Sequence, residues 1–263
     1  MPDLEYSPSE IMTVAAARKL QNGTVCFVGI GLPSAAANLA RLTHAPEVVL
    51  IYESGTIGTK PHILPLSIGD GELAETADTV VSVPEIFRYW LQAGRVDIGF
   101  LGAAQIDKFG NINTTVIGGT YDAPRVRLPG AGGAPEIATA AKEVTIILKH
   151  SSRAFVEKLD FVTSSGYVDA PNQEGQSARR GRGPTTVITD LGVMNSDPAT
   201  RELVLTALHP GIALEQVQRA TAWKLKVAPK LEVTSKPSVC ELTALRDLYA
   251  RTAAAHGTAD QGE

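Results

Sequence analysis

Apolar positions along the chain fall into two kinds of run that alternate. Ile11, Val14, Ala15 and Leu20 recur at roughly helical spacing behind Ser7, Pro8 and Glu10. Ser7 and Glu10 stand at capping-box spacing and Pro8 suits a first helical position, so a helix is predicted to begin there and to stop at Asn22-Gly23. Residues 24–29 (TVCFVG) are a short unbroken apolar run that predicts a buried strand. A turn follows at Gly29-Ile30-Gly31-Leu32-Pro33, then an alanine-rich helix over 33–42, then a second buried strand over 47–52 that stops abruptly at Glu53-Ser54-Gly55. Downstream the pattern predicts a helix over 84–93 with a stop at Gly94, and strands over 96–101, 144–148, 160–163 and 185–189. Helices are expected through Ile137, Ala138 and Ala141, from Leu214 to Val217, and over 239–253. Helix, glycine turn, apolar strand and helix again is the rhythm of an α/β sheet with helices on its faces. No linker divides the chain, so 1–263 is expected to be a single domain.

One segment breaks that rhythm. Residues 169–184 have no apolar periodicity and are rich in glycine, proline and charge, which predicts an exposed loop. Such a loop is a mobile surface feature, a subunit contact, or a place where Arg179, Arg180 and Arg182 meet an anionic ligand. The polar tail over 252–263 is expected to fray.

Composition narrows the class without naming a chemistry. With 263 residues, 44% of them hydrophobic, the chain can bury a sizeable core unaided. The net charge of −4 and a single dense basic run, Arg179-Arg180-Gly181-Arg182, argue against a nucleic-acid surface. Cys26 and Cys240 are too few for a disulfide framework or a four-thiolate zinc site. No run of about 18 apolar residues is present, so no membrane span is expected. The opening Met1-Pro2-Asp3-Leu4-Glu5 lacks the basic and apolar regions of a signal peptide, and a cytoplasmic location is expected.

The candidate chemistry gathers at glycine-rich strand ends. Glu53 stands at the carboxyl end of a buried strand, the edge where ligands bind in open α/β sheets. A strand-end glutamate that caps the next turn is the plainer alternative. Gly29-Ile30-Gly31 begins like a dinucleotide fingerprint, but Ser34 occupies the place of the third glycine, so a tight turn explains it as well. Gly130-Ala131-Gly132-Gly133-Ala134 opens a helix, where backbone amides can meet developing negative charge, or can form a plain loop. Gln105, Asn111 and Asn113 offer uncharged amides that suit orientation of a carboxylate, although turn formation around Asp107 accounts for them equally. The histidines at 44, 62, 150, 209 and 256 show no metal-ligand spacing, and no Gly-x-Ser-x-Gly elbow is present. The one well-placed candidate nucleophile is the carboxylate of Glu53.

Five motifs in order, Gly29-Ile30-Gly31-Leu32-Pro33, Tyr52-Glu53-Ser54-Gly55, Gly102-Ala103-Ala104-Gln105-Ile106-Asp107, Gly110-Asn111-Ile112-Asn113 and Gly130-Ala131-Gly132-Gly133-Ala134, make the chain familiar. With the stretches at 159–164 and 187–192, they resemble the β subunit of family I CoA-transferases, nearest the glutaconate CoA-transferase type, from Glu10 to Gly211. The resemblance implies an α/β fold with an open, mostly parallel central sheet flanked by helices. It implies that Glu53 attacks an acyl-CoA thioester, giving an acyl-glutamyl anhydride and then a glutamyl-CoA thioester. It further implies that Gly132, Gly133 and Gly31 bind the oxyanion or the CoA thioester, and that Gln105, Asn111 and Ser54 orient the substrate. No metal and no permanently bound cofactor is expected; coenzyme A enters as substrate. The implied partners are a homologous α subunit, as α2β2, an acyl-CoA and a carboxylic acid, with no nucleic acid and no membrane. Relatives of this type include CoA-ester hydrolases, ring-opening enzymes and decarboxylases in which the motif glutamate is absent or replaced. Retention of Glu53-Ser54-Gly55 favours transfer over those variants; a CoA-ester hydrolase or ring-opening enzyme of the same superfamily is the alternative, and a non-catalytic ligand-sensing or scaffold subunit is the alternative of another class. The acyl group stays open.

Overall fold

The computed structural model describes residues 5–166 and 183–257. Helix α1 (Pro8–Ala17) starts where its capping box dictates: the Ser7 hydroxyl accepts from the Glu10 amide and the Glu10 carboxylate accepts from the Ser7 amide. It ends earlier than Asn22-Gly23, because the amides of Lys19 and Leu20 bond only three residues back and tighten the final turn. Strand β1 (Val25–Val28), helix α2 (Leu32–Leu42), strands β2 (Val49–Ile51) and β3 (Thr56–Ile57), helix α3 (Gly71–Glu75) and strand β4 (Thr79–Val80) follow. The helix expected over 84–93 is a short α4 (Val83–Glu85) that runs into a widened π-type turn, Ile86–Leu91. Then come β5 (Ile98–Gly102), the small hairpins β6 (Gln105–Ile106) with β7 (Ile112–Asn113) and β8 (Val116–Gly119) with β9 (Pro124–Arg127), helix α5 (Ala134–Ala140) and β10 (Glu143–Ile147). The described chain closes with β11 (Pro184–Ile188), β12 (Gly192–Ser196), β13 (Leu203–Leu208), α6 (Leu214–Arg219), β14 (Lys226–Val233) and α7 (Val239–His256).

A ten-stranded sheet runs in the order β14-β13-β12-β11-β10-β5-β1-β2-β3-β4. Its centre, β11-β10-β5-β1-β2, is parallel throughout. Strands covered on both faces need no polar alternation, so β1, β2 and β5 are unbroken apolar runs, while β10 and β11 interrupt theirs with small threonines such as the buried Thr145 and Thr186. Successive residues still point to opposite faces. On β1, Phe27 enters the core shared with Ile86, Leu91, Ile137 and Val217, while Cys26 and Val28 enter the core beneath α1, α2 and α7. The expected α/β sheet, mostly parallel and flanked by helices, is the observed architecture.

Two expectations need correction. Residues 160–163 form no strand: Ser164 makes only an isolated bridge to Ile112, and the side chains of Asp160 and Thr163 are taken up in bonds to Gln105, Thr114 and Thr115. The tail does not fray at Thr252, because α7 continues to His256. There the Thr252 hydroxyl accepts from the Leu64 amide and the His256 ring bonds the Leu64 carbonyl. Residues 258–263 and the greater part of the loop expected over 169–184, as far as residue 182, lie outside the described residues; Pro184 already opens β11. Among the described residues, no helix is long and apolar enough to cross a membrane.

Candidate active site

The carboxyl ends of the parallel strands place the candidate residues along one edge of the sheet. At the end of β2, the Gly55 amide donates to the Tyr52 carbonyl at 3.0 Å and the Tyr52 amide to the Thr56 carbonyl at 3.1 Å. This closes a tight turn with Glu53 and Ser54 at its tip. Gly55 is required there. Its φ is +99°, and an added Cβ would stand 1.9 Å from the Val81 carbonyl oxygen. Tyr52 anchors the turn from below: its fully buried hydroxyl lies 2.7 Å from Ser34 Oγ and 3.4 Å from Asn38 Nδ2, both on α2. Burial pushes the Tyr52 phenol up to about 12, so it is a neutral hydrogen-bonding pin. Ser34, which breaks the dinucleotide fingerprint, therefore has a positive use.

The second wall is the glycine loop before α5. Thr114 holds its start from both sides: the Gly130 amide donates to the Thr114 carbonyl at 2.8 Å, and the Thr114 hydroxyl donates to the Gly130 carbonyl at 2.7 Å. The positive φ of Gly130 (103°) and Gly132 (47°) then turns the chain toward Glu53. The Gly133 amide donates to Glu53 Oε2 at 3.0 Å. Glu53 Oε1 has no hydrogen-bond partner among the described residues, and neither does the amide of Gly132, an exposed residue. A Cβ at Gly132 would stand 3.4 Å from Glu53 Oε2, so Glu53, Gly132 and Gly133 form one cluster.

The other candidates stand differently. The Ser54 hydroxyl, beside Glu53, is buried with no hydrogen-bond partner among the described residues. Gly31 begins α2 and lines a separate cleft of about 860 Å³ with Lys149, Leu64 and Tyr249, a cleft that Glu53 does not line. Gln105 is built into the β6–β7 hairpin: its Nε2 donates to Asp160 Oδ2 at 2.8 Å, and its Oε1 accepts from Asn113 Nδ2 at 2.8 Å and the Asp160 amide at 3.1 Å. Asn111 Nδ2 donates to Asp107 Oδ2 at 2.7 Å, while its Oδ1 accepts from the Gly166 amide at 2.8 Å. Both amides are thus committed inside the protein, and Asn113 passes the same network on to the Val116 carbonyl beside Thr114.

Residues given no site role in the sequence complete the arrangement. Phe87 lies against Gly133, Thr114 ties down Gly130, and Ser34 with Asn38 pins Tyr52. Phe87 sits in an apolar run legible only as a helix, whereas Ser34 did carry a signal, being polar where a glycine was wanted. The result is a half-buried carboxylate with one oxygen held by a backbone amide and the other open. Such a group can act as an oriented nucleophile.

Comparison with known proteins gives the family of this arrangement. The coenzyme A transferase profile matches residues 9–220. The chain is 64% identical to the B subunit of 3-oxoadipate CoA-transferase from Pseudomonas knackmussii, over 96% of each chain. It is 36% identical to the B subunit of glutaconate CoA-transferase from Acidaminococcus fermentans, over 90% of this chain and 91% of that one. The crystal structure of glutaconate coenzyme A-transferase from Acidaminococcus fermentans superposes with a TM-score of 0.84 at 33% identity, covering 92% of this chain and 94% of that one.

Proposed function

The chain belongs to the coenzyme A transferase family as a β subunit, and from that membership we propose that it transfers CoA between an acyl-CoA and a 3-oxo dicarboxylic acid of the 3-oxoadipate class through a glutamyl-CoA thioester on Glu53. The substrate class follows the relative at 64% identity, one subunit of a 3-oxoadipate CoA-transferase. The observation that carries the mechanism is the asymmetric carboxylate, with Oε2 on the Gly133 amide at 3.0 Å and Oε1 open.

In this reading Glu53 Oε1 attacks the thioester carbonyl carbon, the C–S bond breaks, and CoA leaves as a thiolate. The product is an acyl-glutamyl anhydride. The thiolate then attacks the glutamyl carbonyl carbon, the anhydride C–O bond breaks, and the donor acid departs to leave the glutamyl-CoA thioester. The acceptor carboxylate runs the same steps in reverse and regenerates Glu53. Throughout, Oε2 is the carbonyl oxygen of the enzyme-bound acyl group, the atom that becomes an oxyanion at each attack on the glutamyl carbon. The Gly133 amide already bonds that atom in the resting carboxylate, so it need not reorganise when the oxyanion forms, which is the preorganisation that makes oxyanion donors effective. Gly132, whose amide is unpartnered among the described residues, serves the oxyanion on the substrate acyl carbon, and the buried Ser54 hydroxyl orients the acyl chain. Gln105 and Asn111 act indirectly by stiffening the hairpin behind the glycine loop. Gly31 contributes through the remote CoA moiety, and binding there helps to drive the reacting centre into place. A homologous α subunit completes the pocket, with an α2β2 assembly.

The test uses the chain purified with its partner subunit and incubated with 3-oxoadipyl-CoA. Intact mass reports a CoA adduct, and borohydride reduction with peptide mapping locates it on Glu53. Full transfer activity in Glu53→Ala would sink the mechanism. A glutaconate acceptor used as well as 3-oxoadipate would sink the substrate assignment.

A further inference from the structure

An acyl-glutamyl anhydride in water is a hydrolysable species, and the same atoms that transfer CoA would hydrolyse its esters if water reached them. A phenyl ring, that of Phe87, reaches the same glycine, Gly133, that bonds the Glu53 carboxylate. The turn Ile86–Leu91 is widened: the Gln92 amide reaches back to the Phe87 carbonyl at 2.8 Å and the Arg95 amide to the Trp90 carbonyl at 2.9 Å, each five residues away. Widened turns of this kind re-aim side chains that a regular helix would place elsewhere, and they recur at functional sites. Here the Phe87 ring is turned onto the glycine loop. The point where a Cβ would stand on Gly133 lies 2.6 Å from Phe87 Cζ, 2.9 Å from Phe87 Cε1 and 3.0 Å from Glu53 Oε2. Ring edge and carboxylate therefore converge on one spot that only a glycine leaves open. Phe27 of β1 backs the ring at 5.8 Å between centroids, with the planes tilted by 51°.

We propose that Phe87 is the residue that denies water access to the acyl intermediates on Glu53, and so sets transfer above hydrolysis. An ordered water needs about two to four polar partners. At this spot the Gly133 amide and Glu53 Oε2 are bonded to each other, and the two nearest other atoms are aromatic carbons of Phe87. With the ring removed, a water oxygen bonds to the glutamyl carbonyl carbon of the glutamyl-CoA thioester and the C–S bond breaks. The thiolate takes up one of the water's protons, the other is released to solvent, Glu53 returns as a carboxylate, and the net reaction is acyl-CoA plus water to carboxylate, free CoA thiol and a proton. The inference rests on the covalent reading of Glu53.

Its test measures a ratio in the assembled enzyme with 3-oxoadipyl-CoA: thiol release without an acceptor acid against CoA transfer with one. Phe87→Ala is expected to raise hydrolysis relative to transfer by about tenfold or more, and Phe87→Leu, which keeps an apolar contact with Phe27, to raise it by less. The borohydride-trapped adduct should still form in both and decay faster than in the wild type. An adduct that forms with an unchanged ratio in the Leu variant, or transfer and hydrolysis falling in proportion, would overturn the role of Phe87. Absence of the adduct in the wild type would instead overturn the covalent reading itself.

Discussion

The Gly133 amide holds Glu53 Oε2 at 3.0 Å across 80 residues of sequence, joining the strand-end turn after β2 to the loop before α5. The bond depends on a residue without a side chain. Gly133→Ala would place a methyl 2.6 Å from Phe87 Cζ and 3.0 Å from the carboxylate oxygen, so ring, loop or carboxylate must move. The amide itself survives but is displaced from the oxygen it bonds. A fall in kcat of roughly 10²-fold is expected, the scale of losing one oxyanion donor. Steady-state kinetics beside a thermal melt checks this; a variant that melts like the wild type and keeps its kcat would show that the amide is not engaged in catalysis.

Gly55 is needed for the fold rather than for the chemistry. Its φ of +99° is unfavourable to any side chain, and a Cβ there would lie 1.9 Å from the Val81 carbonyl oxygen, which is backbone and cannot swing aside. The Val81 amide also donates to the Gly55 carbonyl at 2.9 Å, so the clash would push apart segments that are bonded to each other. Gly55→Ala is expected to cost about 3 kcal/mol or more, enough to lower soluble yield. Chemical denaturation reads this directly, and a loss below about 1 kcal/mol would contradict the geometry.

Sequence periodicity made the central sheet legible because strands buried on both faces are continuous apolar runs with glycine at their ends. Glu53 was visible for the same reason: a carboxylate ending such a run is conspicuous. The rest was hidden by distance along the chain. Gln105 reads as a free amide until Asp160, 55 residues later, takes its Nε2. The last turn of α7 reads as a polar tail until Leu64, 188 residues away, meets the Thr252 hydroxyl. The widened turn at Ile86–Leu91 was hidden for another reason. Its apolar spacing satisfies a helix, and only the hydrogen bonds back to Phe87 and Trp90 reveal the extra residue per turn.

Tyr52 offers a test of how firmly the proposed nucleophile, Glu53, is anchored. Removing its hydroxyl in Tyr52→Phe leaves Ser34 Oγ buried without that 2.7 Å partner, at a cost of about 1–2 kcal/mol. Since Tyr52 immediately precedes Glu53, a looser pin should broaden the carboxylate's position and lower kcat by roughly three- to tenfold, with KM little changed. Ser34→Ala should act in the same direction. Stability loss without any fall in kcat would mean that the turn alone, closed by Gly55 and Thr56, suffices to hold Glu53.

The pH dependence of stability should be set by a buried histidine remote from this chemistry. His150 follows β10, stacks on Phe155 with ring centroids 3.7 Å apart and planes 8° from parallel, and bonds the Thr221 hydroxyl at 2.9 Å through Nε2. The Thr221 hydroxyl already donates its proton to the Val217 carbonyl at 2.8 Å, so it accepts from the ring, and Nε2 carries the hydrogen of a neutral imidazole. Protonating Nδ1 would create a second donor whose one partner among the described residues, Thr189 Oγ1, is a long 3.4 Å away. Burial accordingly pushes His150 down from the ordinary 6.5 to about 4. Between those values the unfolded chain binds more protons than the folded one, so stability rises with pH. The contribution is fully present above pH 6.5 and is lost progressively as pH falls through 4, up to roughly 3 kcal/mol. His209, also lowered by burial, adds to the fall in the same direction. The lowered carboxylates of Glu10, Glu202 and Glu241 act below their ordinary 4.5, so the interval from pH 6.5 to about 5 isolates the histidines. Denaturant midpoints across that interval should decline for the wild type and decline visibly less for His150→Gln, which cannot be protonated. Equal slopes for the two proteins would mean that His150 titrates alike in the folded and unfolded chain, and that its buried, neutral state is wrong.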